Sequence, residues 1–212
     1  MATPVLARVD HIVYATPDLN RGIDDLEKLL GVRATPGGQH LGIGTRNALI
    51  ALGPTTYFEI IGPDPEQPEP EKPRWFGLDD RRIPQLAAWF ANANDLEQLV
   101  THAAEQGIKL GTVLAGSRKR PDGALVSWRV TDPRVVIADG IVPGFIDWGQ
   151  TVHPARGAAQ GATLVDFRAE YPDPASVRKV LAPLGIDLPV STGMRATLIA
   201  SISAPKGLVE LR

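Results

Sequence analysis

Four histidines and a set of acidic residues are the side chains of this sequence that could bind a metal ion or move a proton. The 212-residue chain contains no cysteine, which excludes disulfides, thiolate metal sites and a cysteine nucleophile together. A metal would therefore have to be bound by imidazole nitrogen and carboxylate oxygen. The stretch VDHIVYATPDL, residues 9–19, places His11 inside a pattern typical of a β-strand.

A strand, a helix and three more strands would position this first histidine. Residues 9–16 alternate as a strand, and an apolar helical stripe begins after Asp18 and is closed by Gly31. Three further strands are predicted at residues 32–34, 47–52 and 57–61. The order of elements is therefore βαβββ.

The same order of elements is predicted twice more along the chain. In the second unit Asp95 and Gly107 bound the helix, at nearly the spacing of Asp18 and Gly31. In the third unit Pro172-Asp173 begins the helix, and strands follow the landmarks of the first unit up to residue 211. Such a repeat predicts that one structural unit is used three times.

We predict an α+β fold of repeated βαβββ units forming a half-barrel, with a third C-terminal unit. Units 9–62 and 86–149 make up one domain over residues 8–153, joined by a proline-rich linker over residues 63–85. Residues 161–212 form the third unit, which either packs on this domain or makes a dimer interface.

Matching the apolar faces of equivalent strands predicts a site between the units. This alignment puts Glu59, Asp147 and Glu210 at one position of the last strand in each unit, and sets His11 against Ala88. A carboxylate on an inner sheet face must be hydrated, paired or bound to a cation. Glu59 would be paired with an arginine such as Arg129 or Arg195, or it would bind a divalent metal with His11 and Asp147.

Three stretches carry a resemblance to a known family: VDHIVYATPDL, GGQHLGIGTRNALIALG and YFEIIGP. They resemble the glyoxalase-like domain of the vicinal oxygen chelate superfamily, roughly over residues 8–153. The resemblance implies paired βαβββ units around a U-shaped half-barrel and a metal that polarises two neighbouring substrate oxygens. It implies a divalent metal such as Zn, Ni, Mn or Fe, held by His11, Glu59 and Asp147, with Ala88 at a fourth position that cannot ligate.

Three functions are consistent with this resemblance. The first is a metal-dependent enzyme of the lyase, isomerase or dioxygenase type, with Glu59 and His40 as catalytic residues. The second is a metal-free protein that sequesters an apolar or aromatic compound, and a third is an assembly role after loss of the site. His40 and Asn47 are expected at the cavity mouth and Trp75 as a cavity wall, whereas the plain alternative for His40 is a flexible connection between strands.

The remaining residues give little sign of a macromolecular partner. With 22 Lys+Arg against 24 Asp+Glu, the net charge of -2 gives no electrostatic reason to expect nucleic acid or a membrane. The run Arg118-Lys119-Arg120 is interpreted as a solvated loop tip, His102 as a solvated helix residue and His153 as a loop residue near the cavity rim. No apolar run approaches the ~20 residues of a membrane span. We expect a cytoplasmic protein that binds a small molecule, with a homodimer as one arrangement.

Overall fold

The computed structural model describes residues 4–212, and three βαβββ units follow a short helix α1, Val5–Arg8. The first unit consists of β1 Val9–Ala15, α2 Leu19–Leu30, β2 Thr35–His40, β3 Thr45–Gly53 and β4 Thr56–Pro63. The second consists of β5 Gln85–Asn92, α3 Leu96–Glu105, β6 Val113–Lys119, β7 Leu125–Thr131 and β8 Gly144–Asp147. The third consists of β9 Thr163–Tyr171, α4 Pro174–Leu181, β10 Val190–Thr192, β11 Thr197–Ala204 and β12 Gly207–Leu211.

The helices begin and end where the sequence predicts, because their limits are set by local capping. Asp18 accepts a hydrogen bond from the backbone of Arg21 at the start of α2, and Gly31 ends that helix at a φ of 76°. Asp95 and Asp173 cap α3 and α4 in the same way. The predicted strand at residues 32–34 is wrong, since those residues are irregular and the strand begins at Thr35.

The strands of the first two units form one closed barrel, in the order β1-β4-β3-β2-β6-β7-β8-β5. Within each of these units the first strand pairs in parallel with the last. The units meet through the antiparallel pair β1 and β5, and again through the single pairing of Gln39 with Lys119 between β2 and β6. The α+β fold of glyoxalase-like units is confirmed, and the expected half-barrel is closed here by this last contact.

A glycine at the closure lets β2 approach β6. Gly38 has a φ of 147°, and a Cβ built on it would lie 2.2 Å from the carbonyl oxygen of Lys119. The absence of a side chain at Gly38 therefore lets the backbones of β2 and β6 pass close to each other.

We expect Gly38→Ala to lower the free energy of unfolding by about 2–4 kcal/mol, because a methyl group collides with backbone and the φ is strained. Urea denaturation measures the change. Gly53→Ala is the matched control, since its Cβ would make only ordinary contact, 3.6 Å from Thr56. Equal stability of Gly38→Ala and wild type would show that β2 and β6 are not held this closely.

The third unit has the predicted order of elements but a different strand order, β10-β9-β11-β12. Strand β12 pairs only with β11, so the last strand does not lie beside the first. The predicted equivalence of Glu210 with Glu59 is therefore wrong, and Glu210 forms a surface ion pair with Arg168.

One apolar core joins the barrel and the third unit. Phe167 of β9 meets Trp89 of β5 with ring centroids 5.2 Å apart, and both side chains are buried. The third unit thus packs on the barrel of the same chain. The domain limits themselves and a homodimer stay predictions. No helix in the described part of the chain is long and apolar enough to cross a membrane.

Candidate functional site

A cavity of about 420 Å³, counted with the space at its open mouth, lies on the inner side of the barrel. Polar side chains from five strands lie in it, namely His11, His40, Asn47, Glu59 and Arg118. Aromatic and other apolar side chains form the rest of the lining, namely Tyr57, Trp75, Phe76, Phe90, Trp128, Val130, Pro133, Ile146 and Trp148.

His11 is held rigidly in this cavity. It is 4% exposed, and its ring is stacked between those of Tyr57 and Phe90, with centroids 4.6 Å away on each side. Its Nδ1 lies 2.7 Å from Asp10 Oδ1. The ring can therefore present only Nε2 to the other polar groups.

Asp10 is the buried anchor behind His11, and the sequence analysis did not identify it. Its Oδ2 accepts hydrogen bonds from Trp148 Nε1 at 3.0 Å and from His153 Nε2 at 3.2 Å. Burial alone would raise the pKa of Asp10, but the hydrogen bonds and charges of His11 and His153 outweigh it and lower the pKa. An ionised carboxylate only accepts, so His11 Nδ1 carries the hydrogen.

His153 is bound to this network from the loop after β8. Its Nδ1 accepts from the backbone N–H of Ala155 at 3.2 Å, so Nε2 carries the hydrogen donated to Asp10. The sequence placed this histidine near the cavity rim. The structure places it behind His11, where it completes the hydrogen bonding of Asp10.

Glu59 of β4 is the carboxylate at the centre of the polar group. It is 6% exposed, and its Oε1 accepts from Asn47 Nδ2 at 2.5 Å. The Nε2 atoms of His11 and His40 lie 3.7 Å and 4.0 Å from its two oxygens. Neither arginine suggested by the sequence pairs with it, since Arg129 pairs with Glu97 and Arg195 is exposed.

His40 lies at the end of β2 and not in a flexible connection. It is 2% exposed, and its Nδ1 is 3.0 Å from Thr45 Oγ1. Burial lowers the pKa of His40 to about 4, although the charge of Glu59 opposes the shift. His40 is therefore a neutral hydrogen-bonding group at pH 7.

We expect protonation of His40 to weaken the fold in acid. Its pKa is lower in the folded than in the unfolded chain, so the unfolded chain takes up a proton first as the pH falls from about 6.5 to about 4. Between pH 7 and pH 4.5 this costs about 2 to 3 kcal/mol of stability. The pKa of Asp10 is lowered in the folded chain, so its contribution to stability is lost only when the pH falls below the ordinary pKa of 3.8.

Urea denaturation at the two pH values measures this loss, and His40→Gln is expected to remove it. His102→Gln is the control, because that side chain is 53% exposed on α3, as the sequence predicts. The same pH dependence in wild type and His40→Gln would contradict the assignment.

Arg118 is the polar residue of the site that sequence reasoning misplaced. The run at 118–120 was interpreted as a solvated loop tip, but Arg118 belongs to β6 and is 5% exposed. Its Nη1 donates to Asn47 Oδ1 at 3.3 Å. The amide of Asn47 thus lies between the guanidinium and Glu59.

Aromatic rings wall the cavity on the side of the linker. Trp75 lies with its ring centroid 5.5 Å from that of His40, in the wall position that the sequence predicts for it. Phe76 packs edge-on against Phe90. The linker is held in place by Arg74, which bonds Glu69 and Asp79 and donates to Gly44 O at 2.9 Å.

Asp147 is not brought to the cavity, because the face alignment of β8 is shifted by one residue. Phe145 packs in the helix-side core, and Ile146 and Trp148 line the cavity. Asp147 points to the other face and accepts from the backbone of Gly149 at 2.8 Å. A shift of one residue exchanges the two faces of a strand, which is why Asp147 and Trp148 have changed places.

The second unit contributes no ligand from its first strand either. Ala88 lies opposite Val13, while the residue opposite His11 is Phe90. The antiparallel pairing of β1 and β5 therefore places an aromatic ring on His11.

The polar groups as placed do not fit a divalent metal ion. His11 and His40 lie 3.7 Å and 4.0 Å from the oxygens of Glu59, and no other carboxylate or imidazole of residues 4–212 lines the cavity. Within residues 4–212 no group of three or more His, Cys, Asp or Glu side chains has an arrangement that could hold a metal. The predicted set of His11, Glu59 and Asp147 is not assembled.

Comparison with known proteins gives one family and a set of similar folds. The family model described as "Glyoxalase-like domain" matches residues 9–185. None of the curated proteins compared with the chain matches it.

A hypothetical protein from Staphylococcus aureus has a similar fold, with a TM-score of 0.68 and 13% identity, over 96% of this chain and 98% of that one. A methylmalonyl-CoA epimerase from Mycobacterium tuberculosis has a TM-score of 0.43 and 18% identity, over 70% of this chain and 93% of its own. A variant of the Streptomyces coelicolor methylmalonyl-CoA epimerase, in complex with 2-nitronate-propionyl-CoA, has a TM-score of 0.44 and 16% identity. The match covers 69% of this chain and 97% of that one. The first of these likenesses extends through the third unit.

Proposed function

Because the chain belongs to the glyoxalase-like domain family of the vicinal oxygen chelate superfamily, we propose that it is an enzyme. Its reaction moves a proton on a small molecule bound in the barrel, and Glu59 is the proton acceptor. The observation that carries this proposal is the placement of a buried carboxylate, within reach of two imidazoles, at the polar end of an aromatic cavity. Such groups in a water-poor cleft are the usual agents of general acid–base catalysis.

The neighbours of Glu59 leave its carboxylate oriented but available. Asn47 holds Oε1, and Oε2 has His11 Nε2 at 3.7 Å as its nearest charged or ionisable partner. Asp10 fixes His11 in the form whose Nε2 is free to take a proton. Glu59 and His11 can thus exchange a proton across a short gap.

The reaction class that these residues support is removal of a proton next to a substrate carbonyl. Glu59 takes the proton from carbon, and the electrons of the broken C–H bond move onto the carbonyl oxygen. Neutral His40 and the guanidinium of Arg118 lie in the same cavity and can stabilise that developing negative charge. Return of the proton, to the same or to another position, completes the reaction.

Solvent exchange tests this proposal without knowledge of the natural substrate. Small carbonyl compounds are incubated with the protein in deuterium oxide, and loss of the C–H signal beside the carbonyl is followed by proton NMR. Trp75, Trp128 and Trp148 line the cavity, so quenching of tryptophan fluorescence identifies the compounds that bind. We expect catalysed exchange in at least one bound compound, and binding without any exchange would contradict the proposal.

The aromatic lining favours a second candidate, a protein that sequesters an apolar or aromatic compound. Six aromatic rings line the cavity, namely Tyr57, Trp75, Phe76, Phe90, Trp128 and Trp148. They would stack on a planar ligand without any reaction. In the exchange experiment, tight binding with no exchange supports this candidate.

We expect the protein purified without added metal to contain far less than one divalent ion per chain, because no three His, Asp or Glu side chains among residues 4–212 are arranged to hold one. Elemental analysis before and after dialysis against Zn, Ni, Mn or Fe salts measures the content. An ion at one per chain that is lost in both His11→Ala and Glu59→Ala would show that the side chains close on a metal after all.

A further inference from the structure

We propose that Arg118 binds the carboxylate of the natural ligand, so that the substrate class is a small carboxylate on an aromatic or apolar body. The inference rests on the barrel cavity proposed above as the functional site, and it adds the charge of the molecule that the cavity accepts. It is independent of whether Glu59 moves a proton.

The guanidinium of Arg118 is buried with too few partners. The side chain of Arg118 is 5% exposed. Within residues 4–212 its guanidinium makes one hydrogen bond, in which Nη1 donates to Asn47 Oδ1 at 3.3 Å. Its Nε is buried and has no hydrogen-bond partner among these residues. Among residues 4–212 no carboxylate oxygen lies within 4.0 Å of the guanidinium nitrogens. A buried cation without a counter-ion costs several kcal/mol, and an anionic ligand would offset that cost.

Glu59 does not serve as this counter-ion. The amide of Asn47 lies between the two, donating through Nδ2 to Glu59 and accepting through Oδ1 from Arg118. This arrangement fixes the orientation of the amide and keeps the two charges separate. Arg118 and Asn47 both line the barrel cavity.

The backbone beside Arg118 is kept free of side-chain atoms. A Cβ on Gly37 would lie 2.9 Å from Arg118 Nη1 and 2.2 Å from Asn47 Oδ1. Only glycine at this position lets β2 pass so close to the Arg118–Asn47 pair. The sequence thus keeps the guanidinium in a defined place at the cavity wall.

The rest of the cavity indicates a carboxylate of low total charge. One guanidinium balances one negative charge, and the carboxylate of Glu59 in the same cavity disfavours a second. Planar guanidinium and carboxylate groups match in geometry. The walls of tryptophan and phenylalanine suit an aromatic or apolar body attached to that carboxylate.

Two matched probes test the inference on the full chain. Phenylacetate and phenylacetamide have nearly the same shape, but only the first carries a charge, and tryptophan quenching at pH 7.5 gives the dissociation constant of each. We expect phenylacetate to bind at least about tenfold more tightly, which is the effect of one charge-assisted hydrogen bond or more. Equal binding, or no detectable binding of either probe, would overturn the inference.

Variants assign the preference to Arg118. In Arg118→Met the preference for phenylacetate is expected to vanish, and in Arg118→Lys a part of it remains. Arg120→Met is the matched control, because Arg120 is half exposed and is paired with Asp122. If Arg118→Met does not fold, the comparison of wild type with Arg118→Lys decides, and an unchanged preference in either variant overturns the inference.

Further outcomes separate this inference from the proposed function. A preference for phenylacetate that depends on Arg118, without catalysed exchange of any carbonyl compound, leaves the carboxylate site standing and removes the proton-transfer function. Catalysed exchange with no role of Arg118 in binding leaves the proton-transfer function standing and removes the carboxylate site. Tighter binding of phenylphosphonate than of phenylacetate would overturn the choice of a singly charged carboxylate.

Discussion

Replacement of Glu59 by glutamine is expected to slow catalysed solvent exchange by about 10²–10⁴-fold, the usual contribution of a general base. Glutamine keeps the volume and can still accept from Asn47, but it cannot take up a proton. Proton NMR of an exchanging carbonyl compound measures the rate. Binding of that compound should change far less than the rate, because the aromatic walls and Arg118 are untouched.

Glu210→Gln is the matched control for this loss. The sequence aligned Glu210 with Glu59, but the structure places it in a surface ion pair with Arg168, away from the barrel cavity. Its exchange rate should equal that of wild type. If Glu59→Gln exchanged as fast as wild type, another group would be the base.

Replacement of Asp10 by asparagine is expected to lower the free energy of unfolding by about 3–5 kcal/mol, the cost of breaking a buried charged network by removing one partner. Asp10 accepts from three side chains, His11, Trp148 and His153, and is 2% exposed. Asparagine has an NH2 group in place of one carboxylate oxygen. This group cannot accept a hydrogen bond, so at least one of the three donors would lose its acceptor. Urea denaturation at pH 7 measures the loss.

The same variant should also disturb the site. Without an ionised acceptor at Nδ1, His11 can carry its hydrogen on Nε2, which removes the lone pair that faces Glu59. Asp147→Asn is the control, since Asp147 lies on the outer face of β8 and asparagine can accept the same hydrogen bond from Gly149. A stability within about 0.5 kcal/mol of wild type for Asp10→Asn would contradict the buried network.

The helices and most strands were predictable because their signals are local. Asp18, Asp95 and Asp173 cap helices within three residues of themselves, and Gly31 ends one through its own φ. Alternation along β1, β3 and β4 also needs no distant residue. The irregular residues 32–34 were taken for a strand because three residues are too few to show a period.

The polar site was predictable only in part. The structure places His11, His40, Asn47, Glu59 and Trp75 in the cavity lining. Arg118 was missed because a basic run beside a turn has the composition of a solvated loop. Asp10 was missed because only its neighbour His11 was considered as a functional residue of this strand. The partners of Asp10, Trp148 and His153, are also distant in sequence.

The amino-acid sequence by itself determined where the helices begin, most of the strands, the absence of any thiol chemistry and the presence of two imidazoles and a carboxylate in the first unit. The tertiary structure alone decided which strands are neighbours, which face of β8 is turned inward, and that Arg118 and Asp10 belong to the site. The physical reason is that alternation divides a strand into two faces without saying which one is inside. Pairing with a distant strand makes that choice, and a shift of one residue, as at Asp147, exchanges the two faces completely.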